Sequence, residues 1–437
     1  MNAALDSELR HRFAEAVAVA NVPSLLMVLV QLTGEQRWLE PPYRPSRSIG
    51  LGDNDTGGLP DAIQQEIRDA ALEAILAWRA GKPPALPSPT PEKLVEMLSV
   101  AMGDEVPAEY GRFTAELFGY RPPNPGRIEV PAGFNVLVIG AGVSGICAGV
   151  NLQAAGVPFT IIEKHTDVGG VWLENHYPNH LYSFSFAPYD WPKYFALRDD
   201  LHGYLKHVAE QFDLLPSIRL GTRVESADWD DTAQRWQVTV QRPDGSRETL
   251  SANVVISAAG IFNPPVWPKI DGLDSFQGPC FHTAEWRDDV DLTDRRGAHS
   301  RAGPGGLNPR PRNQRRDVDL TDRRVAIIGN GASCMQIGPE IQHRVKSLTI
   351  FQRSPHWAAP FPQFRKAVPE ALRFLFREVP LYAAWYRVRL GWTFNDRVHA
   401  TLQKDPAWPH KERSLNATND AHRVYYTRYI REELGDR

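Results

Sequence analysis

The first third of the chain repeats apolar and polar positions with the period of an α-helix. Apolar residues recur at helical spacing in three stretches: Leu9–Val30, Ile63–Trp78 and Leu94–Met102. Proline- and glycine-rich segments at Gly81–Pro91 and Arg121–Pro131 interrupt the pattern, because these residues break regular structure. Residues 1–133 are therefore predicted to form a helical N-terminal extension, which packs on the rest of the protein or mediates homodimer formation.

From Phe134 onward the pattern changes to short apolar runs separated by glycine turns. A strand at Phe134–Ile139, a helix from about Ser144 to Ala155 and a strand at Phe159–Glu163 follow one another. Further strands are predicted at Ile218–Val224, Trp236–Gln241 and Val254–Ser257. A second strand, turn, helix and strand run from Val325 to Arg353. Strands that alternate with helices predict an α/β fold with two Rossmann-like dinucleotide-binding domains.

Composition narrows the class of protein. A chain of 437 residues has room for two or three domains, and its net charge of -3 argues against a nucleic-acid binder. The longest apolar run, Val22–Leu32, is shorter than the roughly 20 residues that cross a bilayer, so it is predicted to be a buried helix and not a membrane span. The amphipathic, charged stretch that follows Met1 predicts no signal peptide. Cys147, Cys280 and Cys334 show no metal-ligand spacing, which predicts reduced thiols in a cytoplasmic protein without a metal site.

The first glycine turn has the spacing of a dinucleotide site. In Gly140-Ala141-Gly142-Val143-Ser144-Gly145, the three glycines suit a tight turn, close approach to a pyrophosphate, and packing of helix on strand. Glu163 ends the next strand, where a carboxylate accepts a hydrogen bond from a ribose 2′-hydroxyl and repels a 2′-phosphate. This site is predicted to bind FAD. The loop Gly169-Gly170-Val171-Trp172, His180 and Val224 are assigned as further FAD contacts.

The second glycine turn repeats the arrangement with a different charge. Gly329-Asn330-Gly331-Ala332-Ser333-Cys334 follows a strand, with cysteine in place of the third glycine, which predicts looser helix packing. Arg353 and Ser354 end the next strand, where a guanidinium and a hydroxyl can hold a 2′-phosphate. This site is predicted to bind NADPH, with Gln336 as a further contact.

The domain boundaries follow from the two units. Residues 134–263 are expected to form the first part of an FAD-binding domain. Residues 264–437 are expected to form an NADPH-binding domain that is inserted into the FAD-binding domain at about Gly260–Pro265. The segment Asp289–Arg296 recurs as Asp317–Arg324, and residues 297–324 are predicted to be a disordered insertion because they lack large apolar residues. The segment from Phe374 to Tyr429 is predicted to form helices that cover the substrate site.

One segment between the two units carries a family resemblance. The sequence Phe276-Gln277-Gly278-Pro279-Cys280-Phe281-His282-Thr283-Ala284-Glu285-Trp286 resembles the FxGxxxHxxxW fingerprint of Baeyer–Villiger monooxygenases, which is flanked by two GxGxxG units. The Gly169–Trp172, Leu181–Phe186 and Phe351–Ser354 segments also resemble that family. The helical extension is similar to the 4-hydroxyacetophenone monooxygenase branch.

The resemblance implies an enzyme that uses NADPH and FAD to insert one oxygen atom of O2 into a ketone, giving an ester or lactone. Aryl ketones are the substrates that the branch suggests. His282, with Phe276, Gly278 and Trp286, is implied to orient the linker between the domains and not to act on the substrate.

The chain also departs from the pattern of this family. A short stretch that carries an arginine and an aspartate in relatives is missing after Tyr177-Pro178, and Arg287 follows the fingerprint. The chain ends at Arg437, before the Lys-Arg pair of relatives, so a truncated member is expected. Two alternatives stay open: a flavin monooxygenase of amines or sulfides, which shares both nucleotide sites, and an inactive nucleotide-binding protein.

Overall fold

The computed structural model describes residues 3–46, 54–121, 126–174, 183–261, 265–285, 323–361, 363–364 and 366–435. Predictions on His180, on Trp286 and on most of the expected insertion at 297–324 lie outside the described residues. Among the described residues, no helix combines the length and the apolar character that crossing a membrane requires. The same residues contain no group of three or more His, Cys, Asp or Glu side chains that could hold a metal ion.

The described part of the N-terminal third is helical. Its helices are α1 (Ala3–Ala18), α2 (Val22–Thr33), α3 (Asp61–Arg79), α4 (Pro91–Met102) and α5 (Glu109–Leu117). The apolar pattern of Leu9–Val30 belongs to two helices, because Asn21 caps the second one: its Oδ1 accepts a hydrogen bond from Ser24 N–H at 3.1 Å. The prediction of a buried helix at Val22–Leu32 is confirmed, since every residue of that stretch is buried. Helix α5 was not predicted.

The first α/β unit follows these helices. Its elements are β1 (Val136–Ile139), α6 (Val143–Ala155), β2 (Phe159–Ile162), α7 (Val171–Glu174), α8 (Arg198–Gln211), β3 (Ile218–Arg219), β4 (Arg223–Asp230), β5 (Arg235–Gln241), β6 (Arg247–Ala252) and β7 (Val254–Ser257). The order β3-β2-β1-β7 makes a parallel sheet, in which Val136 pairs with both Phe159 and Val254. The carboxyl ends of these strands therefore meet at one edge, where ligands bind in such sheets.

The predicted strand Ile218–Val224 is wrong as a single element. It is two strands in different sheets: β3 joins the parallel sheet, and β4 begins an antiparallel meander of order β4-β5-β6. Gly221 lies between them with a φ of 64°, a left-handed conformation that turns the chain from one sheet to the other.

The second α/β unit is smaller in the described part of the chain. It consists of β8 (Arg324–Ile328), α9 (Ala332–Ile341) and β9 (Ser347–Phe351), and its two strands pair in parallel with Val325 opposite Leu348. Four further helices follow: α10 (Glu370–Glu378), α11 (Pro380–Phe394), α12 (Asp396–Leu402) and α13 (Ala417–Leu434). The α/β class predicted from the pattern is confirmed.

The first and last helical segments share one hydrophobic core. Helix α10 packs on α1, and α11 packs on α2 and α4. Trp385 Nε1 donates a hydrogen bond to Gln31 Oε1 at 3.0 Å, and the buried Tyr382 hydroxyl accepts one from Asn21 N–H at 2.8 Å. Among the helices that we expected to cover the substrate site, α10 and α11 therefore bury apolar side chains against the N-terminal helices. The boundaries at residues 133 and 263 stay predictions.

Candidate nucleotide-binding sites

The glycine turn after β1 is packed so tightly that side chains are excluded. Gly140 has a φ of 102°, and its N–H donates to Ile162 O at 2.8 Å. A Cβ on Gly145 would lie 1.8 Å from Gly140 O, so only glycine lets α6 sit this close to β1. Gly142 at the N-cap offers no side chain to the first amides of α6, and Ser144 is exposed in the first turn. These amides are thus placed to bind an anion.

Glu163, at the end of β2, has a structural role that the sequence did not reveal. The residue is only 4% exposed, and its Oε2 accepts a hydrogen bond from Ala141 N–H at 2.7 Å. Its Oε1 accepts a second hydrogen bond from His165 N–H at 2.9 Å. A carboxylate has about four lone-pair positions, so Glu163 can hold the glycine turn and still accept a hydroxyl hydrogen bond.

The loop Gly169–Trp172 lies directly against the glycine turn. Gly169 N–H donates to Ala141 O at 3.0 Å, and a Cβ on Gly170 would lie 2.9 Å from Gly142 Cα. The two loops therefore meet backbone against backbone at Gly142 and Gly170, and together they are called the cradle below. The Trp172 side chain, which we assigned to FAD, is only 1% exposed and belongs to the core of the unit. Val171 begins α7 and is half-buried.

Two side chains of α8, His202 and Lys206, support Gly169-Gly170, which is called the diglycine turn below. His202 Nε2 lies 3.0 Å from Val168 O and 3.4 Å from Asp167 Oδ2. Lys206 Nζ donates to the same Asp167 oxygen at 2.9 Å. Burial is the largest influence on His202 and lowers its pKa below 6.5, while Asp167 acts in the opposite direction. The neutral imidazole therefore donates from Nε2 to the carbonyl of Val168, next to Gly169.

Acidification is expected to destabilise this support. Because the pKa of His202 is lower in the folded protein than its ordinary value of 6.5, the unfolded chain binds more protons between the two values. The stabilisation is thus complete above pH 6.5 and is lost as the pH falls through the folded pKa. Thermal unfolding of the wild type and of His202→Gln, measured from about pH 5 to 8, checks this. The glutamine keeps a donor for Val168 O but does not titrate. Parallel pH profiles for the two proteins would contradict the prediction.

The second glycine turn has nearly the backbone conformation of the first. Gly329 has a φ of 102°, equal to that of Gly140, and Gly331 has φ -72° and ψ -169° against -80° and -166° for Gly142. Gly329 N–H donates to Phe351 O at 2.8 Å, as Gly140 does to Ile162 O. Here, among the described residues and apart from the neighbours in the chain, no atom lies within 4 Å of a Cβ built on either glycine, so the turn is open.

Asn330 fastens this second turn to the end of β9. Its Nδ2 donates hydrogen bonds to Gln352 Oε1 and to Ser354 O, each at 2.8 Å. This places the exposed side chains of Arg353 and Ser354 beside the turn. Asn330 therefore does at this turn what Glu163 does at the first, and the glycine spacing alone did not indicate it.

The remaining predicted residues of the second unit lie in the first turns of α9. Ala332 and Ser333 start the helix, Cys334 is buried at 6% exposure, and Gln336 Nε2 donates to Ala332 O at 3.1 Å. The amide of Gln336 thus bonds within its own helix. Val224, assigned to FAD, is half-buried and packs against the small core of the antiparallel meander.

The described fingerprint residues interact within the linker. His282 Nδ1 accepts a hydrogen bond from Ala284 N–H at 3.1 Å, and its ring lies 6.0 Å from that of Trp267. Phe276 is 61% exposed, and its ring lies so close to Gly278 that a Cβ there would meet Phe276 Cζ at 2.6 Å. The linker role assigned to His282 stays a prediction.

Comparison with known proteins finds a family model and several proteins whose sequences are similar to this chain. A family model described as pyridine nucleotide-disulphide oxidoreductase matches residues 137–294. An uncharacterized monooxygenase, y4iD, of Sinorhizobium fredii is 43% identical over 436 residues, which are 98% of this chain and 62% of the relative. A Baeyer–Villiger monooxygenase of Streptomyces coelicolor is 38% identical over 254 residues, 56% of this chain and 42% of the relative. One of Pseudomonas aeruginosa is 32% identical over 287 residues, 62% of this chain and 48% of the relative.

Solved structures of monooxygenases also resemble the chain in part. Oxidized steroid monooxygenase bound to NADP aligns with a TM-score of 0.47 and 26% identity over 68% of this chain and 57% of that one. The OTEMO complex with FAD and NADP aligns with a TM-score of 0.42 and 30% identity over 57% of this chain and 44% of that one. The chain spans less than two thirds of the length of these relatives. By its sequence, the chain is similar to Baeyer–Villiger monooxygenases over 254 and 287 residues.

Proposed function

We propose that the protein is a monooxygenase that uses NADPH and FAD to insert one oxygen atom of O2 into a ketone, giving an ester or lactone. One observation carries the proposal. Two glycine turns share one backbone conformation, but the strand after the first ends in the buried carboxylate of Glu163, and the strand after the second ends in the exposed guanidinium of Arg353. The two turns therefore suit different dinucleotides, and such a pair allows hydride transfer between them.

The first cradle fits FAD. The amides at the start of α6 carry partial positive charge toward the position of a pyrophosphate, and the backbone of Gly142 and Gly170 leaves that position free of side chains. Glu163 favours a ribose hydroxyl over a 2′-phosphate because its charge repels the phosphate. Bound FAD would supply hydride acceptance and reaction with O2, while the protein supplies binding and orientation. His180 and Val224 stay proposed contacts.

The second turn fits NADPH. Arg353 can form a charge-assisted, bidentate contact with a 2′-phosphate, and the Ser354 hydroxyl can donate to the same group. Asn330 holds the turn against this strand end, so the pyrophosphate and 2′-phosphate positions are fixed relative to each other. In the linker, His282 with Trp267 would orient one unit against the other.

The spectrum of the purified 437-residue chain tests the proposal. After incubation with FAD and removal of the excess, the protein is expected to absorb between about 350 and 500 nm with the bands of bound flavin. NADPH added under air should bleach these bands, and they should recover once NADPH is consumed. A protein that stays colourless after this treatment would overturn the proposal and favour an inactive nucleotide-binding protein.

Substrate class requires a separate measurement. The proposal predicts NADPH- and O2-dependent conversion of ketones, with aryl ketones as the first compounds to try, to ester or lactone products identified by mass spectrometry. Oxidation of amines or sulfides without ester formation would support the alternative flavin monooxygenase.

The setting of the enzyme is also part of the proposal. A cytoplasmic location agrees with the three free cysteines, Cys147, Cys280 and Cys334. A homodimer through the N-terminal helices would bury apolar side chains that the core of these helices leaves exposed, such as Val19 at 47% and Phe113 at 55% exposure. Light scattering of the wild type against Phe113→Glu tests it: a dimer that persists unchanged in the variant would place any interface elsewhere.

A further inference from the structure

An arginine of the C-terminal helices reaches into the first nucleotide unit. Arg387 lies on α11, and its Nη1 donates a hydrogen bond to Ser183 Oγ at 2.6 Å, while its Nη2 donates to the carbonyl oxygen of Ser183. Burial lowers the pKa of this guanidinium, although it still stays charged at neutral pH. The other face of α11 is fixed, because Tyr382 and Trp385 are buried in the helical core. The packing of α11 therefore fixes the backbone of Arg387, and its guanidinium binds Ser183.

The residue that follows Ser183 is bound to α8. Phe184 N–H donates to the Tyr204 hydroxyl at 2.7 Å, and that hydroxyl donates onward to Ala187 O at 2.7 Å. The hydroxyl is buried, which raises the pKa of Tyr204 to about 12. Phe184 also pairs with Ala187 as an isolated bridge, so the segment forms a narrow turn around Tyr204. The turn is pinned between α11 on one side and α8 on the other.

Helix α8 in turn carries the support of the flavin cradle. Two residues before Tyr204, His202 binds Val168 O and lies against Gly169, and Gly170 lies against Gly142 of the glycine turn. Contacts therefore run without a break from Arg387 through Ser183, Phe184 and α8 to the wall of the cradle.

We propose that Arg387 is a positioning residue for the FAD cradle: it holds the Ser183–Ala187 turn against α8 and thereby keeps the diglycine turn in the conformation that accepts FAD. This rests on the proposed function in that FAD is taken as the ligand of the first cradle. Arg387 itself touches neither glycine loop in the described part of the chain. Its effect reaches FAD through α8.

Hydrogen exchange of the FAD-free protein tests the structural half directly. Gly169 N–H bonds to Ala141 O, and Leu173 N–H bonds to Gly170 O, so both amides report on the diglycine turn. In Arg387→Met, exchange at these amides is expected to rise about tenfold, since the loss of charged hydrogen bonds lowers local opening free energies. The matched control is Arg377→Met, which removes an arginine that binds Asp190, three residues after the turn, through a solvent-exposed ion pair. The control should leave exchange at both amides unchanged.

FAD affinity tests the functional half. The dissociation constant, measured by quenching of flavin fluorescence, is expected to rise about tenfold in Arg387→Met and to stay within twofold in Arg377→Met. Added guanidinium ion at low millimolar concentration should partly restore affinity to Arg387→Ala, a rescue that a general loss of stability would not show. Tyr204→Phe removes the next link and should reproduce the effect if an Arg387 variant fails to fold.

The outcomes separate this inference from the proposed function. Unchanged exchange at Gly169 and Leu173 in folded Arg387→Met and Tyr204→Phe would overturn the inference, whatever FAD does. Increased exchange with unchanged FAD affinity would also overturn it. If exchange increases in Arg387→Met but the wild type does not bind FAD, the proposed function is wrong, while the coupling between α11 and the diglycine turn is still supported.

Discussion

Replacing Gly145 with alanine is expected to abolish FAD binding and to destabilise the first nucleotide unit by about 3 kcal/mol. The added Cβ would lie 1.8 Å from Gly140 O, which is a backbone atom with no rotamer through which to move away. Relief requires α6 to shift from β1, and this shift carries the first amides of α6 away from the pyrophosphate position. Stability and binding should therefore fall together.

Thermal unfolding and flavin absorbance of Gly145→Ala measure this effect. Gly203→Ala is the matched control, because Gly203 lies in α8 and, outside the backbone of that helix, no atom of the described residues is within 4 Å of its Cβ position. That variant should be more stable by up to about 1 kcal/mol, since alanine favours helix over glycine. If Gly145→Ala bound FAD with wild-type affinity, the packing of α6 on β1 would not set the shape of the cradle.

Replacing Arg353 with alanine is expected to remove the preference for NADPH over NADH. A charge-assisted contact contributes about 1.5–3 kcal/mol, so the dissociation constant for NADPH should rise roughly 10- to 100-fold. NADH has no 2′-phosphate, so its affinity should change little. The fold should tolerate the change, because the Arg353 side chain is exposed.

Titration of both nicotinamide dinucleotides against the wild type and the variant provides the measurement. Lys346→Ala removes an exposed positive charge from the start of β9 in the same unit and is the control for a general electrostatic effect. An equal loss of NADPH affinity in both variants would show that Arg353 acts only through its net charge. Equal losses of NADPH and NADH affinity in Arg353→Ala would place the 2′-phosphate elsewhere.

The sequence by itself determined the local features of the sites. The spacing predicted that the second glycine turn repeats the arrangement of the first, and the φ values of Gly140 and Gly329 are both 102°. The sequence also predicted that Glu163 and Arg353 each end the strand that follows a glycine turn. Because parallel strands bring their carboxyl ends to one edge of the sheet, each residue was expected near its turn. The buried helix at Val22–Leu32 followed from its predominantly apolar sequence.

Only the tertiary structure decided how distant segments combine. An apolar helical face specifies burial but not its partner, so the packing of α11 on α2 could not be read from either pattern. The division of Ile218–Val224 between two sheets depends on pairing partners on both sides of Gly221. Trp172 could have faced a ligand or a core, and packing alone placed it in the core.

The roles of the polar supports were decided in the same way. Asn330, His202 and Arg387 act through hydrogen bonds to residues 22 or more positions away in the chain. A donor and its acceptor at such separations leave no periodic signal, because either residue would look the same on an exposed surface. The sequence therefore determined the backbone cradles, and the folded chain determined what holds them in shape.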